Sequence, residues 1–391
     1  MRDVVVAGGG PAGSSAAAAA AGLGADVLLL EREQEIASTV RTSGVTWMQD
    51  VTEHGIPRDC YNPIDRFGFA SPGREVLVDA GGPVAAVLDV RRTYRLLASR
   101  AAAAGAEVRT GAAVDGPVME GGAVAGVRSG GEEIRARMTV DATGFPSTVC
   151  TGAGLARGWS RFGAGAEYEG EADNADPSTW WLLVGDRYSP AGYAWIFPLG
   201  GGRVRVGVGV GKPESGADPR RILDRMIEEG GGPVGRLGGF RSEEFHYGLI
   251  PNEGLARRTV HAGLLMAGDS AGQSNPLVLE GIRHAIRYGA EAGRRAARAA
   301  ASGATDAASL AGYEKLWRSE IESKNRKARR IQARWLGLSD DQWDEELRII
   351  EQLSAGELVD FVRGDFGAAR LARMAVSHPV LAARQLLGML R

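Results

Sequence analysis

The stretch that most constrains this chain is its beginning. Val4-Val5-Val6 forms a short apolar run that leads into Gly8-Gly9-Gly10-Pro11-Ala12-Gly13 and then into an alanine-rich segment. The G-x-G-x-x-G spacing has a physical logic: Gly8 permits a tight turn, Gly10 lets a pyrophosphate approach the backbone, and Gly13 lets the next helix pack on the strand. Pro11 and Ala12 then open a helix whose free N–H groups and dipole face the phosphates. Residues 2–7 read as a buried strand, 11–23 as a helix and 25–30 as a second buried strand. Glu31 follows that strand, where a carboxylate can bind a ribose 2′-OH. Continuous apolar strands joined by a helix imply a parallel sheet covered on both faces.

The rest of the chain divides by pattern. Residues 31–62 look polar and irregular, 91–104 helical, and 107–109 start another strand, with short alternating strands between glycine pairs over 111–140. From 161 to 255 the pattern alternates, as in Val204-Arg205-Val206-Gly207-Val208, and predicts an antiparallel sheet. A buried strand returns at 263–267, followed by a helix over about 279–302. From Ser309 on, Leu310, Tyr313, Trp317, Ile321, Ala328, Ile331 and Trp335 share one helix stripe. The expected architecture is α/β. A discontinuous Rossmann-type domain (1–160 and 256–305, with an antiparallel excursion near 111–140) carries an inserted antiparallel-sheet substrate domain (161–255) and a helical C-terminal cap (306–391).

Two further motifs narrow the ligand. Asp141-Ala142-Thr143-Gly144 follows the strand-like Met138-Thr139-Val140, and Gly268-Asp269-Ser270-Ala271-Gly272 follows Leu264-Leu265-Met266-Ala267. With the N-terminal fingerprint, in this order, they resemble the flavoproteins of the p-hydroxybenzoate hydroxylase-like fold. That resemblance implies FAD, with Asp269 beside the flavin-side ribitol and the helix after it aimed at the isoalloxazine. It also implies that Arg91, in Arg91-x-x-Tyr94-x-x-Leu97, contacts the cofactor. The segment 268–272 also matches G-x-S-x-G, the nucleophile elbow of a hydrolase. That chemistry needs an acid and then a histidine downstream; His284 comes too soon and only His378 is left, so the hydrolase reading fails.

Two more segments resemble the geranylgeranyl reductase family. Tyr193-Ala194-Trp195-Ile196-Phe197-Pro198 matches its Y-x-W-x-F-P substrate motif, and Asn275-Pro276-Leu277-Val278-Leu279-Glu280-Gly281-Ile282 resembles its N-P-x-x-x-E-G-I segment beside the flavin. Tyr193, Trp195 and Phe197 alternate along a strand and so share one face, forming an aromatic wall for a hydrophobic substrate. The resemblance covers residues 1 to about 300. It implies cofactor contacts from Gly8, Gly10, Pro11, Ala12, Gly13, Glu31, Arg32, Arg41, Ser43, Gly44 and Arg91 in the first part. In the second part it implies contacts from Asp141, Gly144, Gly268, Asp269, Gly272, Pro276, Gly281 and Ile282. The family carries a Cys-Gly pair where this chain has Ser43-Gly44, so Ser43 is the candidate catalytic residue on which the chain departs from the pattern.

The implied activity is reduction of carbon–carbon double bonds of an isoprenoid or similar lipid-like substrate by hydride from reduced FAD. The alternative is a flavin-dependent monooxygenase or halogenase acting on a natural-product intermediate. A second dinucleotide fingerprint is missing from the sequence, so electrons would come from a transient NAD(P)H or from a protein donor such as reduced ferredoxin. A formal net charge of −2 gives no reason to expect nucleic acid. The 2 cysteines, Cys60 and Cys150, and the 5 histidines show neither disulfide nor metal-ligand spacing. The N-terminus reads as a strand and not as a targeting signal, so a cytoplasmic protein is expected. Lys324, Arg326, Lys327, Arg329, Arg330 and Arg334, with the basic amphipathic segment 380–391, raise peripheral membrane contact as the less favoured reading; a solvated face over a substrate-covering cap is preferred.

Overall fold

A computed structural model describes residues 1–254 and 258–365, together with Ala372 and Val376. His378 and the basic segment 380–391 lie outside the described residues. The N-terminal expectation holds closely. Strand Arg2–Ala7, helix Pro11–Ala21 and strand Val27–Leu30 follow one another. In the main sheet, strands Leu264–Met266, Glu132–Asp141, Arg2–Ala7, Val27–Leu30 and Glu107–Arg109 run parallel in that order. Val4, Val5 and Val6 are fully buried, because helices or strands cover both faces. The long strand Glu132–Asp141 does two jobs: its first half pairs antiparallel with Ala123–Ser129, and its second half joins the parallel sheet.

The alanine-rich helix has a packing reason. Gly289 and Gly293, one turn apart on helix Ile282–Ser302, lie so close to helix Pro11–Ala21 that added Cβ atoms would sit 2.2 Å from the Ala12 carbonyl oxygen and 2.0 Å from that of Ala16. Alanines on one helix and glycines on the other let the two backbones touch, and this contact fixes the fingerprint turn against the later motif.

A second, seven-stranded sheet has the order 241–251, 162–171, 203–212, 192–200, 179–184, 66–71, 74–79. It is wider than the segment 161–255 expected from sequence, since strands Arg66–Ser71 and Arg74–Asp79 also belong to it. The pair 179–184 with 66–71 is parallel, so the sheet is mixed at that edge. The stretch read as irregular, 31–62, also holds strand Val45–Trp47, helix Met48–Glu53 and the start of strand Tyr61–Ile64. These elements are too short to show a period, and they are held by burial of Trp47 and Ile64.

Helix Ala307–Trp335 buries the stripe from Leu310 to Ile331 as its periodicity requires, with Tyr313 and Trp317 set against the parallel sheet. Helices Asp340–Ile350 and Ala355–Val362 then fold back over the second sheet. Ser339 and Ser354 start them with capping boxes, closed by Gln342 and Glu357. Part of the basic run is paired internally, Lys324 with Asp365 at 3.0 Å and Arg334 with Glu346. Among the described residues no helix is long and apolar enough to cross a membrane.

Candidate active site

The parallel sheet, the seven-stranded sheet, a small three-stranded sheet that includes Val45–Trp47, and the C-terminal helices enclose a cavity of about 780 Å³. Its polar end is built by the fingerprint. Gly8 adopts φ +104°, and a side chain there would meet the Ala142 carbonyl at 2.3 Å. A Cβ on Gly13 would fall 1.8 Å from the Gly8 carbonyl, so this glycine closes the helix onto the turn. Gly10 is different: nothing lies within 4 Å of its Cβ position, and with Gly8, Pro11 and Ala12 it lines the cavity. Helix Pro11–Ala21 is N-capped by Gly10 without a side-chain cap, which leaves first-turn N–H groups for an anion. Glu31 lines the same end, its carboxylate accepting from the N–H of Gly9 at 2.7 Å and of Glu33 at 2.9 Å. Arg32, Arg41, Ser43 and Gly144 complete that rim. Burial pushes the Glu33 carboxyl up, but hydrogen bonds from Ser38, Thr39 N–H and Arg41 outweigh it and bring it down to about 2.

Gly268, Asp269, Gly281 and Ile282 line the cavity's middle. Burial pushes the Asp269 carboxyl up to about 6. Helix Ile282–Ser302 starts there from Gly281, again with no side-chain cap. Glu280 is beside it: Oε2 accepts from Arg283 at 2.7 Å, while Oε1 is buried without a hydrogen-bond partner among the described residues.

Three rings from one strand meet on the cavity surface. Tyr193, Trp195 and Phe197 all face the cavity from strand Gly192–Gly200. The Tyr193 hydroxyl donates to the Val278 carbonyl at 2.5 Å, and Trp195 stacks on Phe197 at 6.0 Å with planes 17° apart. Trp47, Phe69, Trp180, Trp335, Trp343, Leu347, Ile350, Leu358 and Phe361 extend this surface, the last six from the C-terminal helices and the loop-side end of the helix before them. The sequence pattern implied a cap over the substrate but did not single out these side chains.

Several of the expected contact residues lie outside the cavity lining. Asp141 does not face the cavity; its fully buried carboxylate accepts from Thr143 N–H and Oγ1, from Ser270 Oγ and from Cys150 N–H. It clamps two loops that carry the site. Arg91 is not in the lining either, because its guanidinium pairs with Glu244 through both nitrogens and reaches the Ser38 carbonyl. Tyr94, one turn on, lines the cavity instead. Gly13, Gly44, Gly272 and Pro276 are also outside the lining. Gly44, at φ +81°, is needed where its Cβ would strike the Leu88 carbonyl at 2.8 Å, and Pro276 accepts a hydrogen bond from Gln332. Ser270 is fully buried and bonded to Gly144, which removes the hydrolase nucleophile.

Sequence patterns gave no sign of a buried polar cluster beside the wall, two members of which, Glu167 and His246, also line the cavity. Glu167 accepts from Trp195 Nε1 at 2.7 Å and lies 2.9 Å from His246 Nδ1. Arg205 donates to Glu169 at 2.8 Å, to the Ser43 carbonyl at 2.8 Å and to the Leu88 carbonyl at 3.1 Å. These residues come from three neighbouring strands, and only the sheet register brings them together.

The polar end fits FAD. It holds an open glycine in Gly10, the Glu31 carboxylate, the buried Asp269 carboxyl and two helix N-termini without side-chain caps, groups of the kind a dinucleotide needs. Comparison with known proteins agrees. The family model for FAD dependent oxidoreductases matches residues 3–176, and that for the geranylgeranyl reductase catalytic domain matches residues 164–236, which include the aromatic wall. The chain is 34% identical to digeranylgeranylglycerophospholipid reductase 2 of Methanothermobacter thermautotrophicus, over 89% of this chain and 91% of that protein. This chain belongs to the geranylgeranyl reductase family.

This reductase-family chain is an FAD-dependent oxidoreductase. A second relative, digeranylgeranylglycerophospholipid reductase 2 of Methanopyrus kandleri, is 30% identical over 96% of both chains. A geranylgeranyl bacteriochlorophyll reductase-like protein from Thermoplasma acidophilum superposes with a TM-score of 0.86 at 28% identity, over 99% of each chain. A flavin-dependent brominase superposes with a TM-score of 0.67 at 18% identity, which shows a shared fold alone.

Proposed function

We propose that this geranylgeranyl reductase family member saturates carbon–carbon double bonds in the prenyl chain of a lipid. The observation that carries this reading is the continuity of the cavity: one space of about 780 Å³ joins the phosphate-binding turn to the aromatic wall and the apolar C-terminal helices. The names of the relatives, which are reductases of digeranylgeranylglycerophospholipids, support the same substrate class.

Bound FAD, in its reduced form, supplies the hydride. The chain's own residues do the rest. Rings and aliphatic side chains hold a prenyl chain by area burial, at about 25 cal/mol per Å², and need no directional contact. The Tyr193 hydroxyl is spent on Val278, so the ring presents its face to the cavity. Walls of this kind exclude water from the reacting bond. Ser43 stands where the family carries cysteine; it lines the cavity while Arg205 pins its carbonyl. We assign Ser43 to orienting the proton source, a task a hydroxyl performs as donor and acceptor without being a strong acid. A transient nicotinamide or a ferredoxin-type protein would deliver the electrons.

The test is anaerobic. The FAD-loaded protein is chemically reduced and mixed with a digeranylgeranyl lipid. The expected result is return of the oxidised-flavin absorbance with two hydrogens added per double bond. Product that forms only when oxygen is admitted would transfer the assignment to a monooxygenase. NADPH and reduced ferredoxin, tried separately as reductants of the bound flavin, identify the donor.

A further inference from the structure

Trp195 is held more tightly than a ring that merely fills space. On the sheet side it lies across glycines of the neighbouring strands: added Cβ atoms would come within 2.3 Å of the indole at Gly207, 3.3 Å at Gly209 and 3.5 Å at Gly165. Its edge is fixed by the Nε1–H donated to Glu167 Oε2 at 2.7 Å. Two rings flank it on the same strand, Phe197 stacked nearly parallel at 6.0 Å and Tyr193 tilted at 5.9 Å. The remaining surface faces the cavity.

Glu167 itself is buried, with 4% of its side chain exposed. A buried carboxylate is commonly there to neutralise a buried arginine, and Arg205 is near. The distances argue otherwise. Arg205 Nε is 2.8 Å from Glu169 and 3.6 Å from Glu167, so Glu169, which also pairs with Arg203, is the nearer counter-ion and Glu167 the more distant one. The short contacts of Glu167 go to Trp195 and, at 2.9 Å, to His246 Nδ1. His246 Nε2 in turn lies 3.4 Å from Glu244, the carboxylate that Arg91 holds. A chain of polar groups thus runs from the half-exposed Glu244 to one edge of the indole. Arg205 ties the same cluster to the carbonyl of Ser43, which also lines the cavity.

We propose that Glu167 is a positioning and specificity-determining residue: by anchoring the Trp195 indole flat on its glycine floor, it sets the register in which a prenyl chain lies against the site. The inference rests on the function proposed above. A charge-assisted hydrogen bond favours one ring orientation over others by about tenfold to a hundredfold. Without it the indole can swing into the cavity and change which double bond is presented.

Glu167→Met keeps roughly the side-chain volume and removes the acceptor, whereas Glu167→Gln keeps an amide oxygen for the indole and removes the charge. In the FAD-loaded protein, Glu167→Met is expected to raise KM for a digeranylgeranyl lipid about tenfold. The mixture of partially saturated products should change with it. The FAD dissociation constant should change less than KM does, because Glu167 acts through the Trp195 indole on the aromatic wall. Glu167→Gln should restore most of the wild-type product pattern. An independent readout needs no turnover: the Trp195 indole ¹⁵N–¹H resonance, assigned by its loss in Trp195→Phe, should shift in Glu167→Gln because a neutral acceptor replaces a charged one. This measurement also decides the matter if Glu167→Met does not fold. Wild-type KM and products in Glu167→Met, or an unmoved resonance in Glu167→Gln, would overturn the proposal. Failure of the wild-type protein to bind or reduce any prenyl lipid would sink the function reading, and this inference with it; normal wild-type turnover beside an unaffected variant sinks the inference alone.

Discussion

Asp269 shows at residue scale how a cofactor site costs stability. Its carboxyl is pushed up from 3.8 to about 6 by burial. A group whose folded value is raised contributes fully below its unfolded value and loses that contribution as pH rises through about 6. The FAD-free protein should therefore be penalised at pH 8, and Asp269→Asn should be more stable there by on the order of 1–2 kcal/mol, the advantage vanishing below about pH 4. The same change should weaken FAD binding about tenfold or more, because a hydrogen bond to a charged acceptor is lost. Thermal melts from pH 4 to 8, with and without FAD, measure both effects. Ser43 gives a second prediction. A thiol, which ordinarily titrates near about 8.5, is a stronger acid than a hydroxyl, so Ser43→Cys should raise kcat about tenfold if proton delivery limits turnover. Single-turnover rates in H₂O and D₂O check it; an unchanged rate and isotope effect remove Ser43 from proton delivery. Both positions were legible in the sequence because each sits in a short local motif. Glu167 and His246 were not, since a glutamate and a histidine in alternating strands look like any solvated pair until register places them together.

At the scale of elements, the decisive contact joins helix Pro11–Ala21 to helix Ile282–Ser302. The first places the fingerprint turn, and the second starts at Gly281 beside Asp269. Their distance is set by Gly289 against Ala12, where a methyl group would be 2.2 Å from a carbonyl oxygen. Backbone cannot yield as a flexible side chain does. Gly289→Ala is thus expected to cost about 2–3 kcal/mol despite alanine's better helix propensity, and to weaken FAD binding by moving the two helix N-termini apart. Urea unfolding with a flavin titration tests this; a gain in stability would show that the helices separate without strain. The strand–glycine–helix unit was readable because its spacing and its apolar runs are local. Strands 66–71 and 74–79 escaped because they lie far in sequence from the sheet they complete and join it through a parallel pairing with strand 179–184. Arg91 and Tyr94 were not told apart for a related reason. Helical periodicity gives the spacing of Arg91 and Tyr94 but not which of them faces the cavity, and Glu244 on a distant strand decides that.

At the scale of the whole molecule, one cavity is shared by elements that the chain brings together only on folding. Its polar end belongs to the parallel sheet, its wall to the second sheet, and its apolar end to the C-terminal helices. Those helices are docked on both sides. Asp344 accepts from Ser71 Oγ and Gly73 N–H, and Asp340 from Asp186 N–H, on the sheet side. Asn275 donates to the Val362 carbonyl and Lys324 pairs with Asp365 on the other. Binding at either end should therefore stabilise the whole fold by mass action, about 2.7 kcal/mol for a ligand at 100 times its dissociation constant. The two ends should still be separable. Trp343 lines only the apolar end, so Trp343→Ala should lose about 3–5 kcal/mol of intrinsic stability to the cavity it leaves. In that variant FAD should raise Tm as much as in the wild type, while a saturated prenyl lipid raises it less at the same concentration, because part of its contact surface is gone. Thermal shifts with each ligand alone and with both decide the point. If Trp343→Ala abolishes the FAD shift and leaves the lipid shift intact, the ends have been assigned the wrong way round.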